Sequence, residues 1–273
     1  MTINATPSPR STQTELGWFA LLVLLLASVF YVVGPLLGSL SAVTQSNVPA
    51  AALMFVCPTI AALILARRSH AVRELLSRLR LPRMRWYIWL VVALVMPVAL
   101  FWASILTGEY GFTLPTMSSA LLLPLVYIVS ALGEEIGWTG YALPRLLRVH
   151  GEFVAAVFLG LFWAAWHIIP FWEAGNSALW IAGQCLFSVV LRVLLVRLTV
   201  LGGMSIWPAV ICHAAYNLAW SLSPESGLHY NPWVVAVVGA CAVVFLYLIR
   251  RTPFAGIGTL DSEGMAPVGA RWS

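Results

Sequence analysis

The sequence predicts an all-α membrane protein: a bundle of about eight transmembrane helices with both termini cytoplasmic. Three observations predict it. Of 273 residues, 61% are hydrophobic and only 9% charged, whereas a soluble domain carries about 25% charged residues. The apolar residues fall in serial runs close to the roughly 20 residues that cross a hydrocarbon core. The basic residues, all of them arginine, gather in alternate connections between those runs. Soluble enzymes, secreted disulfide scaffolds, disordered chains and nucleic-acid-binding domains are excluded, because so little charge cannot coat a water-facing surface.

The expected organisation is a polar N-terminal tail over 1–16, a single transmembrane domain over 17–250 and a disordered tail over 251–273. The first span, 17–40, is too long for a signal-peptide core and lacks a basic flank leading to a cleavage site. The second, 49–66, precedes the one strongly charged stretch, 67–85, which holds seven arginines and one glutamate. Spans follow at 86–106, within 118–147, and at 153–169, 178–200, 204–222 and 233–249. Placing 67–85 in the cytoplasm puts Arg145, Arg148, Arg192, Arg197, Arg250 and Arg251 on that same side. The opposite connections hold Glu109, Glu173 and Glu225 and no arginine. Seven or nine spans would break this segregation.

Within 67–85, Val72, Leu75, Leu76 and Leu79 form an apolar stripe. It suits either an interfacial helix touching lipid or substrate, or an ordinary positive-inside loop. Cys57, Cys185, Cys212 and Cys241 each sit in an apolar segment without CxxC spacing, which reads as small core hydrophobes.

Ionisable groups inside a span are costly and are functional candidates by default. The motif core, 118–222, holds Glu134 and Glu135 on the fourth span, His167 on the fifth, and His213 with Asn217 on the seventh. At 1.5 Å per helical residue, Glu134 lies about 16 Å and His213 about 14 Å from the arginine side, close to one layer. His213 and Asn217, four apart, share a helix face. Glu134 and Glu135 are about 100° apart, so one takes the chemistry while the other supports it from behind. Carboxylates, imidazoles and an amide around one cavity suit hydrolysis by activated water. Glu134, His167 and His213 could equally complete a three-ligand zinc site with an open position, or serve a proton relay in a transporter. The transporter reading lacks an inverted repeat or paired broken helices. Gly133, Gly137 and Gly140 signal close helix approach, and Ser130, Thr139, Gln184, Ser188 and Ser205 suit hydrogen bonds between helices. Trp138, Trp163 and Trp166 either wall the cavity or pack.

The segments Glu134-Glu135, Trp163-Ala-Ala-Trp-His167 and His213-Ala-Ala-Tyr-Asn217, in this order, resemble the CPBP family of intramembrane proteases. That family includes CAAX proteases of the type II, Ras-converting kind and bacterial bacteriocin-processing or self-immunity proteins. The similarity extends over roughly 130–220. It implies about eight helices and an endopeptidase hydrolysing a peptide bond of a membrane-associated peptide or protein. Glu134 and His167 would activate water, and His213 and Asn217 would stabilise the oxyanion, with Glu135 in support. Metal dependence stays open, although Asn217 suits an oxyanion donor better than a zinc ligand. Where the family has Trp163 as Phe the swap is tolerable. Where it carries Arg, this chain has Thr139, which predicts that Glu135 is protonated or paired with Arg145. That departure leaves a second reading, a weak or inactive membrane adaptor or self-immunity protein. A compact, arginine-only chain without an organelle signal reads as a bacterial inner-membrane protein, in which prenylated substrates are not expected.

Overall fold

The computed structural model describes residues 9–44, 48–109, 111, 115–223 and 230–248. The expected disordered tail, 251–273, lies outside them. Eight helices follow one another: α1 Pro9–Leu37, α2 Ala50–Arg68, α3 Trp86–Thr107, α4 starting at Met117–Glu135, α5 Glu152–Glu173, α6 Ala178–Leu201, α7 Trp207–Ser221 and α8 Pro232–Leu248. Short helical pieces occur at Ser41–Thr44 and Val72–Ser77. Among the described residues there is no strand, only an isolated bridge between Ser39 and Pro49.

Six of these helices are long and apolar enough to cross a membrane. α7, with 15 residues, and α8, with 17, are shorter, about 22 and 25 Å at the helical rise. The run expected at 204–222 loses its first turn because Gly203 and Met204 both adopt left-handed backbone. The Met204 amide donates to Thr199 O at 2.9 Å, closing the end of α6, and α7 restarts with Pro208 in its first turn. At the other end of the chain, α1 begins at Pro9, so half of the stretch read as a polar tail is helical.

α4 is not uniform. Its α-helical part gives way to a π-helical segment, Ile136–Ala142, and then to a last turn, Leu143–Leu146. The Leu143 amide reaches back five residues to Trp138 O, the wider spacing that defines such a segment and recurs at functional sites. This part of α4 lies against α2. A Cβ on Gly137 would sit 2.4 Å from Pro58 Cβ, whereas one on Gly140 would meet Leu75 Cδ1 at 3.3 Å. Close approach is therefore needed at Gly137 and hardly at Gly140. Thr59 Oγ1 ties the two helices by donating to Gly133 O at 2.6 Å.

α6 is the hub, packed on α5, α7 and α8. Of the small polar residues expected to bridge helices, Gln184 does, donating to Tyr216 Oη at 3.1 Å. Ser205 bonds Arg80 O. Ser130, Thr139 and Ser188 instead donate to carbonyls of their own helices. Cys57 and Cys212 are buried and Cys241 is exposed; the described cysteines are free thiols.

The arginine side is tied together. Ile206 N, Ser205 Oγ and Trp207 Nε1 donate to the carbonyls of Arg78, Arg80 and Leu79, respectively. The 67–85 stretch thus caps the entry to α7, with Leu75 buried and Leu76 exposed. Arg145 pairs with Glu15 at 2.6 Å, Arg148 with Glu74 at 3.5 Å and Arg197 with Glu152 at 3.2 Å. Tyr247 Oη also donates to Glu152. The start of α1 and the end of α8 consequently lie on one face with these arginines.

Candidate active site

The polar residues of α4, α5 and α7 surround a cavity of about 570 Å³. Glu134, His167, His213 and Asn217 all line it; Glu135 does not. The 100° between adjacent helical residues separates the two carboxylates as the sequence suggested. Glu134 faces the cavity, and Glu135, fully buried, faces the packed interior behind it.

Glu134 is held through one oxygen. Its Oε2 accepts from the indole of Trp163 at 2.6 Å and from that of Trp138 at 3.3 Å. Oε1 is left for a cavity occupant. Trp163 comes from α5, which the absent side chain of Gly160 lets close on α6; a Cβ there would meet Val189 Cα at 3.0 Å and Arg192 Cβ at 3.2 Å.

Glu135 is not paired with Arg145. Its partner is Arg192, fully buried on α6, whose Nη1 donates to both carboxylate oxygens at 3.0 and 2.8 Å. Arg145 is engaged elsewhere, with Glu15 and over the ring of Tyr141 at 3.5 Å. The guanidinium missing at Thr139 thus arrives from another helix, and Thr139 Oγ1 simply donates to Glu135 O. Arg192 also lies 4.2 Å over the ring of Trp163. That aromatic face matters because Nε and Nη2 of Arg192 have no hydrogen-bond partner.

The histidines are oriented by acceptors, which fixes their tautomers. His167 Nδ1 is 2.9 Å from Trp163 O. A carbonyl only accepts, so Nδ1 carries the proton and Nε2 of the neutral ring is an acceptor. His167 is stacked on Phe171 and edge-on to Trp166. His213 Nδ1 lies 3.0 Å from Glu135 Oε1 and donates to it. Asn217 follows one turn later on the same helix.

Among the described residues no three His, Cys, Asp or Glu side chains are grouped as a metal ion would require. Of the suggested zinc set, Glu134 Oε2 accepts from two indoles and His213 Nδ1 donates to Glu135, which leaves Glu134 Oε1 and the Nε2 atoms of His167 and His213 as the donors facing the cavity.

Sequence reasoning missed Arg192 and the donor role of Trp163. Arg192 is an ionisable residue inside the sixth span, and the criterion that singled out Glu134 applies to it equally; it was counted with the topology markers instead. The indole of Trp163 carries an N–H, which a phenylalanine lacks, and that donor reaches Glu134.

Residues 115–219, which hold α4 to α7, match the family described as type II CAAX prenyl endopeptidase Rce1-like. A curated relative, CAAX prenyl protease 2 of Methanococcus maripaludis, is 26% identical over 145 residues. The alignment covers 47% of this chain and 54% of the relative, so the chain spans about half the length of the curated relative it matches.

Proposed function

We propose that the chain, whose residues 115–219 match the Rce1-like family, is an intramembrane endopeptidase of the CPBP kind using Glu134 and His167 to activate water. One observation supports this most directly. A carboxylate with one free oxygen and an imidazole with an unprotonated Nε2 line the same cavity as a candidate oxyanion donor, Asn217.

The water oxygen attacks the scissile carbonyl carbon while Glu134 Oε1 takes its proton, with His167 Nε2 accepting the second hydrogen bond. The carbonyl oxygen becomes an oxyanion, to which Asn217 Nδ2 donates. His213, whose Nδ1 proton is given to Glu135, donates as well when Nε2 is also protonated. The proton held by Glu134 then passes to the leaving amine nitrogen as the C–N bond breaks. Glu135 and Arg192 touch no reacting atom; they set the position of His213. No step runs through a metal.

The bundle is proposed to span the bilayer eight times, α7 and α8 included, with the arginine face and both termini cytoplasmic, in a bacterial inner membrane. A substrate is a membrane-associated peptide or protein. The reading as an inactive adaptor or self-immunity protein rested on Thr139, and Arg192 now supplies the charge whose absence motivated it. The test uses the purified chain in lipid with a quenched fluorescent peptide library. Glu134→Gln lowers kcat by about 10²–10⁴-fold, the range for a general base, without changing the thermal transition. Unchanged cleavage by this variant would overturn the mechanism.

A further inference from the structure

The cavity is one-sided. Its lining comes from the connection and first turns of α2 (Leu40 to Phe55), the first half of α4 (Leu125 to Glu134) and the second half of α5 (Trp163 to Ala174). The remainder comes from the start of α6 and the end of α7. Every one of these segments lies on the side of Glu134 away from the arginine face. Towards the arginines the bundle is closed: Trp138, Tyr141, Glu135 and Arg192 are buried there, and the 78–80 carbonyls cap the start of α7.

Arginine-rich connections mark the cytoplasmic side of a membrane protein. Taking the proteolytic reading above as given, we propose that the enzyme receives its substrate from the opposite side, as a polypeptide segment presented at the extracytoplasmic leaflet. The lining also describes that segment. Among the described residues Glu134 is the sole Asp, Glu, Lys or Arg side chain on it. The lining therefore offers no arginine or lysine to a chain-terminal carboxylate or a lipid phosphate, and its walls are chiefly apolar and aromatic. Leu53, Leu125 and Val129 belong both to the lining and to the exposed surface of the bundle. A lipid-embedded apolar stretch thus has a side entrance, and an internal peptide bond suits the site better than a free C-terminus.

Sidedness is read with single cysteines in intact cells and a membrane-impermeant maleimide, scored above the labelling of the native chain. Ala174→Cys, on the cavity lining, is expected to label in intact cells. Arg83→Cys, in the arginine stretch, is expected to label only after the membrane is opened. The reverse pattern overturns the proposal. A second arm uses vesicles of purified protein sorted by that labelling, with the peptide library supplied on one side at a time. Cleavage is expected only from the arginine-free face, and cleavage from the arginine face overturns the proposal. Absence of cleavage from both faces counts against the proteolytic reading instead, while the maleimide pattern still decides the orientation.

Discussion

Trp163 holds the two halves of the site together. Its N–H fixes Glu134, its carbonyl fixes His167 and its ring faces Arg192. Trp163→Phe keeps an aromatic ring and the carbonyl, and removes the donor together with part of the indole. Loss of a charge-assisted bond of about 1.5–3 kcal/mol predicts a kcat lower by about 10- to 100-fold with KM little changed, measured on the purified enzyme. Arg192 behaves differently. Arg192→Leu removes the buried cation, leaves Glu135 only the His213 N–H and destabilises by about 3–5 kcal/mol, whereas Glu135→Gln combined with Arg192→Leu restores much of that loss. Thermal unfolding in detergent checks the pattern, and additive losses would sever the proposed pair. Glu134, Glu135, His167, His213 and Asn217 were legible in the sequence because polar groups inside apolar runs stand out. The partner of Glu135 was not, because pairing across helices depends on which faces meet, and Gly160 sets that meeting without any chemical signature of its own.

At the scale of elements, the π-helical segment and Gly137 place Glu134 relative to α2. Gly137→Ala forces a methyl group into Pro58 and is expected to destabilise by about 1–3 kcal/mol, as overpacking does. Gly140→Ala, which meets the far end of the Leu75 side chain, is expected to leave the unfolding temperature nearly unchanged. Equal effects at the two sites would show that α2 and α4 do not approach as described. The existence and order of all eight helices could be read from hydrophobic runs, since burial in lipid makes each run nearly continuous. The π-helical segment could not be read, because a change from four- to five-residue hydrogen bonding leaves composition untouched. The shortened start of α7 was hidden for a related reason: Met204, in left-handed backbone, looks like any apolar residue in a run.

For the whole molecule, segregation of arginine was the most legible property, and the structure gathers Arg145, Arg148 and Arg197 at one end of the bundle with their glutamate partners. A cavity around these groups was expected, but its extent and its position at the other end were not visible in the sequence. A cavity is a space between helices whose walls come from five separate stretches of chain. The proposed Glu134–His167 mechanism predicts that cleavage persists in excess chelator. Activity lost to a chelator and restored by zinc would show that a metal is used after all. α1 is anchored at its polar end by Glu15 on Arg145. Glu15→Gln takes the carboxylate from the buried Arg145 and is expected to loosen that end, seen as faster amide exchange in the first turns of α1, while cleavage stays within about two-fold of the native rate.

The Glu135–Arg192 pair also bears on how the chain enters the bilayer. Each of these side chains alone opposes insertion by about 2.5–3.5 kcal/mol at the centre of a helix. They are 57 residues apart, so α4 is synthesised well before the partner that neutralises it. The nascent helix must stay at the insertion machinery, or keep Glu135 protonated in the lipid, until α6 emerges. Biogenesis of this protein is thus coupled from α4 to α6, and a ribosome-bound chain ending before Arg192 should be retained where one ending beyond α6 is released.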